Sequence, residues 1–239
     1  MSNIIKLSRT TVEKYLSCPR CCVLDKKFKI KPPSLPFTLN IAVDNLCKNE
    51  FDYYRKRNKP HPLFLKHDID AVPFNHEEID QWRSNFTGIH YISKEKNYDF
   101  GGAIDDVWQK SNGELIVADV KATSKNNFDW AETFNKYEYP KAYKRQLEMY
   151  QWLLRKNGFK VAEEAYLVYF NGKKNEQFFN NTLNFEVHLV KIICSSDWVE
   201  SKIEETVSLL RSDLFPKASS NCEVCNYLRK RWTLSKNLK

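Results

Sequence analysis

Apolar positions recur along this chain at two periods, and the two periods separate helices from strands. From Phe37 to about Arg57, Leu39, Ala42 or Val43, Leu46 and Tyr54 return at helical spacing. A second long helix is expected from Pro140 to about Asn157, opened by the proline and closed by Gly158. Asp197 is expected to cap a third, with Val199, Ile203, Val207 and Leu210 on one face. Shorter helices are expected over Leu7–Leu16, with Thr10 and Glu13 as a capping box, and over Glu77–Phe86. Two apolar runs rich in β-branched and aromatic residues, Ala103–Gln109 and Leu115–Lys121, flank the turn Ser111-Asn112-Gly113 and read as a β-hairpin. Gly88–Ser93 reads as a strand before it. Ala165–Phe170 and Glu176–Phe179 read as a second hairpin turning at Asn171-Gly172, and Phe185–Ile193 as a further strand. The proline-rich stretch Lys31–Pro36 is a connector, and Ser124–Tyr139 is a polar, aromatic loop.

The first hairpin carries charge where a buried strand should carry none. Asp105 and Asp106 interrupt one run, Asp119 and Lys121 the other. Asp119 and Lys121 are two residues apart and share a face of the strand, and the neighbouring strand can bring Asp105 beside them. Two carboxylates and an ammonium on an apolar sheet are costly unless they are paired or hold a metal. Both outcomes are open from these residues alone. Gln146 and Tyr150 lie four apart on the second long helix, either as a buried polar pair or as part of a site. Asp44 follows Val43 on the first, four residues before Lys48; it suits either an oxygen ligand for Mg²⁺ or Mn²⁺ or a helical ion pair. Phe128, Trp130, Phe134, Tyr137 and Tyr139 suit a loop that stacks bases beside a cationic groove, or one that packs on its own domain.

Cys18-x-x-Cys21 near one end and Cys222-x-x-Cys225 near the other can together complete a tetrahedral four-thiolate site, with Cys22 as a spare. Cys47 and Cys194 lie in apolar patterns and are expected in the core. At 239 residues and 42% apolar content, the chain suits one domain with a proper core and excludes global disorder. A net charge of +8 favours polyanionic partners. No apolar run approaches the ~20 residues of a membrane span, and the first residues lack the apolar core of a signal peptide. A cytoplasmic protein without membrane partners is expected, so its seven cysteines are read as thiols or metal ligands rather than disulfides.

The order Gly102-x-x-Asp105, Asp119-x-Lys121, Gln146-x-x-x-Tyr150 resembles the core of the PD-(D/E)XK nucleases, specifically their RecB-like branch. The resemblance runs from Cys18 to Cys225 and is tightest between Gly102 and Tyr150. It implies an α/β, restriction-endonuclease-like fold, a central mixed sheet flanked by helices, as a single domain over residues 1–239. The catalytic core is expected at about 37–170, and segments 18–22 and 222–225 form a cysteine staple joining the termini. The family places a His on its first core helix, and Asp44 stands in that place here. CRISPR-associated exonucleases of this branch bind a [4Fe–4S] cluster with one N-terminal and three C-terminal cysteines. Here the arrangement is two plus two, with Arg231 about where the third C-terminal cysteine would fall, so Zn²⁺ competes with the cluster.

The implied activity is metal-dependent hydrolysis of DNA phosphodiesters, as an exonuclease on single-stranded or end-bearing DNA. Asp105 and Asp119, with Asp44, are the expected ligands of Mg²⁺ or Mn²⁺. Lys121 is expected to orient water or neutralise the phosphate, and Gln146 and Tyr150 to position backbone or nucleophile. A protein partner in a DNA-processing or defence complex is a further expectation. Two other readings stay open: a non-catalytic binding or assembly subunit that keeps the nuclease fold, and a zinc-stapled domain whose carboxylates serve structure alone.

Overall fold

The computed structural model describes residues 4–237. In chain order the elements begin with β1 (Ile5–Ser8), α1 (Arg9–Ser17), α2 (Pro19–Phe28), α3 (Thr38–Arg55), α4 (Pro62–Lys66), β2 (Val72–Pro73), α5 (Ile79–Arg83), β3 (Ile89–Ser93) and β4 (Tyr98–Gly102). There follow β5 (Asp106–Gln109), β6 (Leu115–Thr123), α6 (Trp130–Lys136), α7 (Tyr139–Lys156), β7 (Val161–Gly172), β8 (Phe185–Ile193), α8 (Val199–Arg211) and α9 (Glu223–Asn237). These make two compact units. One holds Pro36–Tyr91 and Gly101–Asp197; the other holds Met1–Leu35, Ile92–Phe100 and Trp198–Lys239.

The larger unit is built on a five-stranded sheet of order β2-β5-β6-β7-β8. All its pairs are antiparallel except β6 with β7, which the helix α7 connects as a crossover. This is the mixed α/β sheet flanked by helices that the family resemblance implies. Strand alternation sorts the residues of β6 between two faces. Ile116, Ala118 and the partly buried Val120 join a core with Cys47 and Phe51 of α3, Phe64 and Trp108. Val117, Asp119 and Lys121 fall on the opposite face, toward α7. That helix buries Leu147, Met149, Leu153 and Leu154 completely. Cys47 and Cys194 are both buried, as expected for core thiols.

Several local expectations are corrected. Asn171-Gly172 is no turn: β7 runs on to Gly172, which pairs with Phe185, so the return strand is Phe185–Ile193 rather than Glu176–Phe179. The amide of Asn171 accepts from Lys125 N at 2.7 Å and donates to Lys125 O at 3.1 Å, a tertiary use that overrides its turn chemistry. The chain turns later, where Asn180 and Asn181 take left-handed backbone conformations with φ of 47° and 55°. The segment 124–139 is likewise not all loop, because Asp129 accepts from Glu132 N and starts α6.

In the smaller unit β1 lies in a three-stranded sheet of order β1-β4-β3. Its last residue, Ser8, caps α1: Ser8 Oγ accepts from Thr11 N and Thr11 Oγ1 from Ser8 N, both at 3.3 Å. The capping box is therefore Ser8 with Thr11, not Thr10 with Glu13, because residues 5–8 are extended. Helices α1, α2 and α8 pack together through Val12, Val23, Ile203 and Val207. Asp197 does not cap α8; Trp198 holds that position without a side-chain bond, and Asp197 accepts from Ser195 Oγ at 2.8 Å. Among the described residues no helix is long and apolar enough to cross a membrane.

Candidate active site and cysteine cluster

The β5–β6 ladder ends at the pair Asp106 and Ala118. Beyond it, among the described residues, no strand lies beside this edge of β6, and Val120 N–H donates instead to Asp105 Oδ2 at 2.9 Å. Asp105 thus stands in a bend before β5 and not within the strand, since the apolar run Ala103-Ile104 outlasts the ladder. One hydrogen bond fixes its carboxylate at the open edge of β6, near Asp119 and Lys121. Its neighbour Asp106 points into the core, where Arg55 Nη2 lies 2.8 and 2.7 Å from its two oxygens. The adjacent aspartates therefore divide the two readings of the hairpin between them. Asp106 forms a buried ion pair, and Asp105 lies beside Asp119 in the candidate site.

Asp119 is fully buried. Gln146 Nε2, on α7, donates to its Oδ1 at 2.6 Å and to the Tyr150 hydroxyl at 3.2 Å. Its Oδ2 pairs with the Lys121 ammonium. Burial, reinforced by Asp105 and only partly offset by Lys121, pushes the Asp119 carboxyl up to about 7. Burial works to lower Lys121, but Asp119 and Asp105 outweigh it and hold the ammonium above its ordinary value, hence charged. Its Nζ lies 4.6 Å from the centre of the Tyr143 ring.

Asp44 enters the same site from α3. Lys48 Nζ donates to its Oδ2 at 2.8 Å and lies 3.8 Å from Asp105 Oδ1. The helical ion pair expected as one alternative is present, yet it bridges two site carboxylates instead of lying on a solvated face. Nothing in the sequence beyond the four-residue spacing signalled that bridge. The other Asp44 oxygen, Oδ1, is buried without a hydrogen-bond partner, and burial followed by Asp105 raises the carboxyl pKa. Three carboxylates thus face two ammonium groups, and two of the acids are already strained toward neutrality. The site is short of positive charge and offers hard oxygen donors, a donor set that fits Mg²⁺ or Mn²⁺. The carboxylates form a loose set, because among the described residues only the four cysteines bring three or more such ligand atoms within 4.8 Å of one another.

The model of the PD-(D/E)XK nuclease superfamily matches residues 38–229. The chain belongs to this superfamily. No curated protein matches it. Among solved structures, SSO0001 is similar over 89% of this chain and 80% of its own, at 18% identity and a TM-score of 0.44. A Eubacterium rectale protein named as a candidate exonuclease is similar over 95% of this chain and 89% of its own, at 10% identity and a TM-score of 0.47.

This superfamily member carries a second cluster in its smaller unit. Cys18 and Cys222 precede α2 and α9, and Cys21 and Cys225 lie in their first turns. The Sγ atoms of Cys21 stand 3.5 Å from those of Cys222 and Cys225, and Cys18 Sγ stands 3.9 Å from that of Cys225. Burial raises the Cys18 thiol, but the backbone N–H groups of Cys21 and Ser219 and the neighbouring thiols outweigh it and bring it to about 6. A tetrahedral ion bonded to sulfur at about 2.3 Å sets its ligands about 3.8 Å apart, close to these spacings. A cubane, with an iron at each of four corners, spreads its cysteine sulfurs wider. All four sulfurs lie within 4.8 Å of one another, so the cluster could hold a metal ion. Cys22 is excluded: it is buried and its Sγ reaches Thr11 O at 3.7 Å.

Proposed function

We propose that this chain is a metal-dependent deoxyribonuclease of RecB-like type, an exonuclease that hydrolyses phosphodiester bonds of single-stranded or end-bearing DNA. The observation that carries this reading is the convergence of Asp105, Asp119, Lys121 and Gln146 at the open edge of β6. Asp105 and Asp119, with Asp44 behind Asp105, would hold Mg²⁺ or Mn²⁺, which when bound polarises a phosphate and lowers the pKa of a coordinated water. The chain's own groups then have distinct tasks. Lys121, kept charged by Asp119 and Asp105, neutralises charge that grows on the phosphate in the transition state. Gln146 holds Asp119 in one rotamer by donating to a single oxygen, leaving the other directed to Lys121. Tyr150 anchors the Gln146 amide in turn. The net charge of +8 supports a polyanionic substrate.

The cysteine cluster, in this reading, binds one Zn²⁺ that ties the segments before α2 and α9. One observation favours a second reading, a DNA-binding or assembly subunit without catalysis: Lys48 already bridges Asp44 and Asp105 as a resident cation. End-labelled single- and double-stranded DNA incubated with Mn²⁺ or Mg²⁺ separates the two. The nuclease reading expects end-directed cleavage that Asp119→Ala abolishes. Tight DNA binding with no divalent-dependent cleavage sinks it in favour of the second.

A further inference from the structure

A cleft of about 260 Å³ opens beside Lys121, and the proposed chemistry makes no use of it. It is lined by the rings of Phe128, Trp130, Tyr139, Tyr143 and Tyr169 together with Lys121 and Lys125. These rings are held from behind. Phe128 stacks on His188 with centroids 4.2 Å apart and planes inclined by 16°, and it meets Tyr169 at 4.9 Å. Trp130 packs between Phe134 and Tyr169, 5.8 Å from each. Lys125 Nζ donates to the Tyr139 hydroxyl at 3.0 Å and to Thr133 Oγ1 at 2.9 Å. Such rings lose little further freedom when something binds. An aromatic cluster that served packing alone would close on itself; this one surrounds open space, and Tyr139 is 39% exposed.

We propose that this cleft seats one unpaired nucleobase of the DNA strand, that of the nucleotide adjoining the phosphate to be cut. The proposal rests on the nuclease reading and deepens it. Three features favour this occupant. Aromatic walls supply faces for stacking, which every base accepts whatever its sequence. Bases inside a duplex already have both faces covered, so only an unpaired base can use these walls. Lys121 and Lys125 supply positive charge for the phosphates on either side. Lys121 borders both the cleft and the carboxylates, so a phosphate at its ammonium directs the attached base into the cleft. Apart from the lysines, the tyrosine hydroxyls and the Trp130 indole N–H, the lining offers only Thr123 and Thr133 as polar side chains, so little sequence preference is expected.

The test uses the full chain without added Mg²⁺ or Mn²⁺ and single-stranded oligonucleotides carrying 2-aminopurine at successive positions. The expected result is quenching, the mark of stacking, concentrated at one position. Phe128→Ala and Tyr139→Leu should each weaken binding roughly 5- to 150-fold, the range that stacking of one base covers, while Tyr139→Phe keeps wild-type binding. An oligonucleotide abasic at the quenched position should bind wild type and variants alike. Equal binding of intact and abasic strands by wild type, or wild-type affinity in both ring-removing variants, overturns the cleft. Hydrolysis of bis(p-nitrophenyl) phosphate with Mn²⁺, a diester without a base, reads the metal site separately. Its absence from wild type together with absent divalent-dependent DNA cleavage overturns the nuclease reading, whereas its presence beside a failed stacking test overturns the cleft alone.

Discussion

Gln146 Nε2 lies 2.6 Å from Oδ1 of Asp119, and the same nitrogen reaches the Tyr150 hydroxyl at 3.2 Å. A helix residue thereby fixes the rotamer of a fully buried strand carboxylate. Gln146→Leu should leave Asp119 Oδ1 buried without a donor and cost about 1–3 kcal/mol of stability. Removing an orienting partner of a ligand typically costs about 10- to 100-fold in metal affinity or activity. The expected signature is a shift of the Mn²⁺ dependence of cleavage to higher concentration with little change in KM for DNA. A pure loss of DNA affinity at unchanged Mn²⁺ dependence would place Gln146 on the substrate instead.

The adjacent pair Asp105 and Asp106 makes a sharper contrast. Asp105→Asn should abolish divalent-dependent cleavage. Asp106→Asn keeps an acceptor for Arg55 and should retain cleavage. Arg55→Met removes the closer partner of the buried Asp106 carboxylate and leaves it Arg83 Nη1 at 3.8 Å and the Val107 N–H, so the loss should stay at or below the roughly 3–5 kcal/mol of a fully broken buried pair. Adding Asp106→Leu should recover much of that loss. Urea unfolding of the single and double variants reads both numbers.

Apolar runs marked β6 and β8, and recurring apolar positions with proline and glycine punctuation marked α3 and α7; on α3 the structure buries Val43, Cys47 and Phe51, whereas Leu39 and Leu46 of the expected series are exposed. The three motif pieces then named Asp105, Asp119, Lys121, Gln146 and Tyr150, and the structure brings these side chains to one edge of one strand. What escaped has a physical reason each time. Asn171-Gly172 carries the local chemistry of a turn, but pairing with Phe185 and the bonds to Lys125 outbid it. Helix α9 is charged and largely exposed, so no apolar face announces it. The Lys48 bridge from Asp44 to Asp105 depends on α3 meeting the β6 edge, a tertiary relation that no spacing along the chain contains.

Asp52 provides a handle on acid stability away from the site. Its carboxylate accepts from Arg83 Nη1 and Nη2 at 2.9 Å and from Arg55 Nε at 2.9 Å. Burial works against the charged form, but the two guanidinium groups outweigh it and hold the pKa below the ordinary carboxylate value. A depressed folded pKa gives stability that is present above the unfolded value of about 3.9 and lost as pH falls through the folded one. Asp52→Asn should therefore melt lower than wild type at pH 7, by an amount on the order of 1 kcal/mol for a partly exposed cluster. The gap should close in the acid limb below about pH 4. A gap that stays constant from pH 7 to pH 2 would show that shape, not charge, is what the substitution removed.

The cysteine cluster joins residues 18–21 to residues 222–225, so a bound ion closes a loop of about two hundred residues. Loop-closure entropy grows only with the logarithm of length, so the length of the loop adds little beyond the first few kcal/mol. Metal–thiolate bonding should dominate, as apparent zinc affinities of ~10–16 kcal/mol in small peptides suggest. Cys222→Ser should thus lose the ion and lower the melting temperature, while the metal-dependent hydrolysis of a small diester falls far less, since Asp105 and Asp119 lie in the other unit. Cys22→Ser is the control: its sulfur bonds to Thr11 O outside the cluster, so metal content should stay at the wild-type level. Elemental analysis of anaerobically purified protein decides the ion. One zinc per chain is expected; iron with acid-labile sulfide would instead require the sulfurs, now all within 4.8 Å of one another, to move apart. Metal-free protein with four freely titrating thiols, and a Cys222→Ser variant that melts with wild type, would remove the ion altogether.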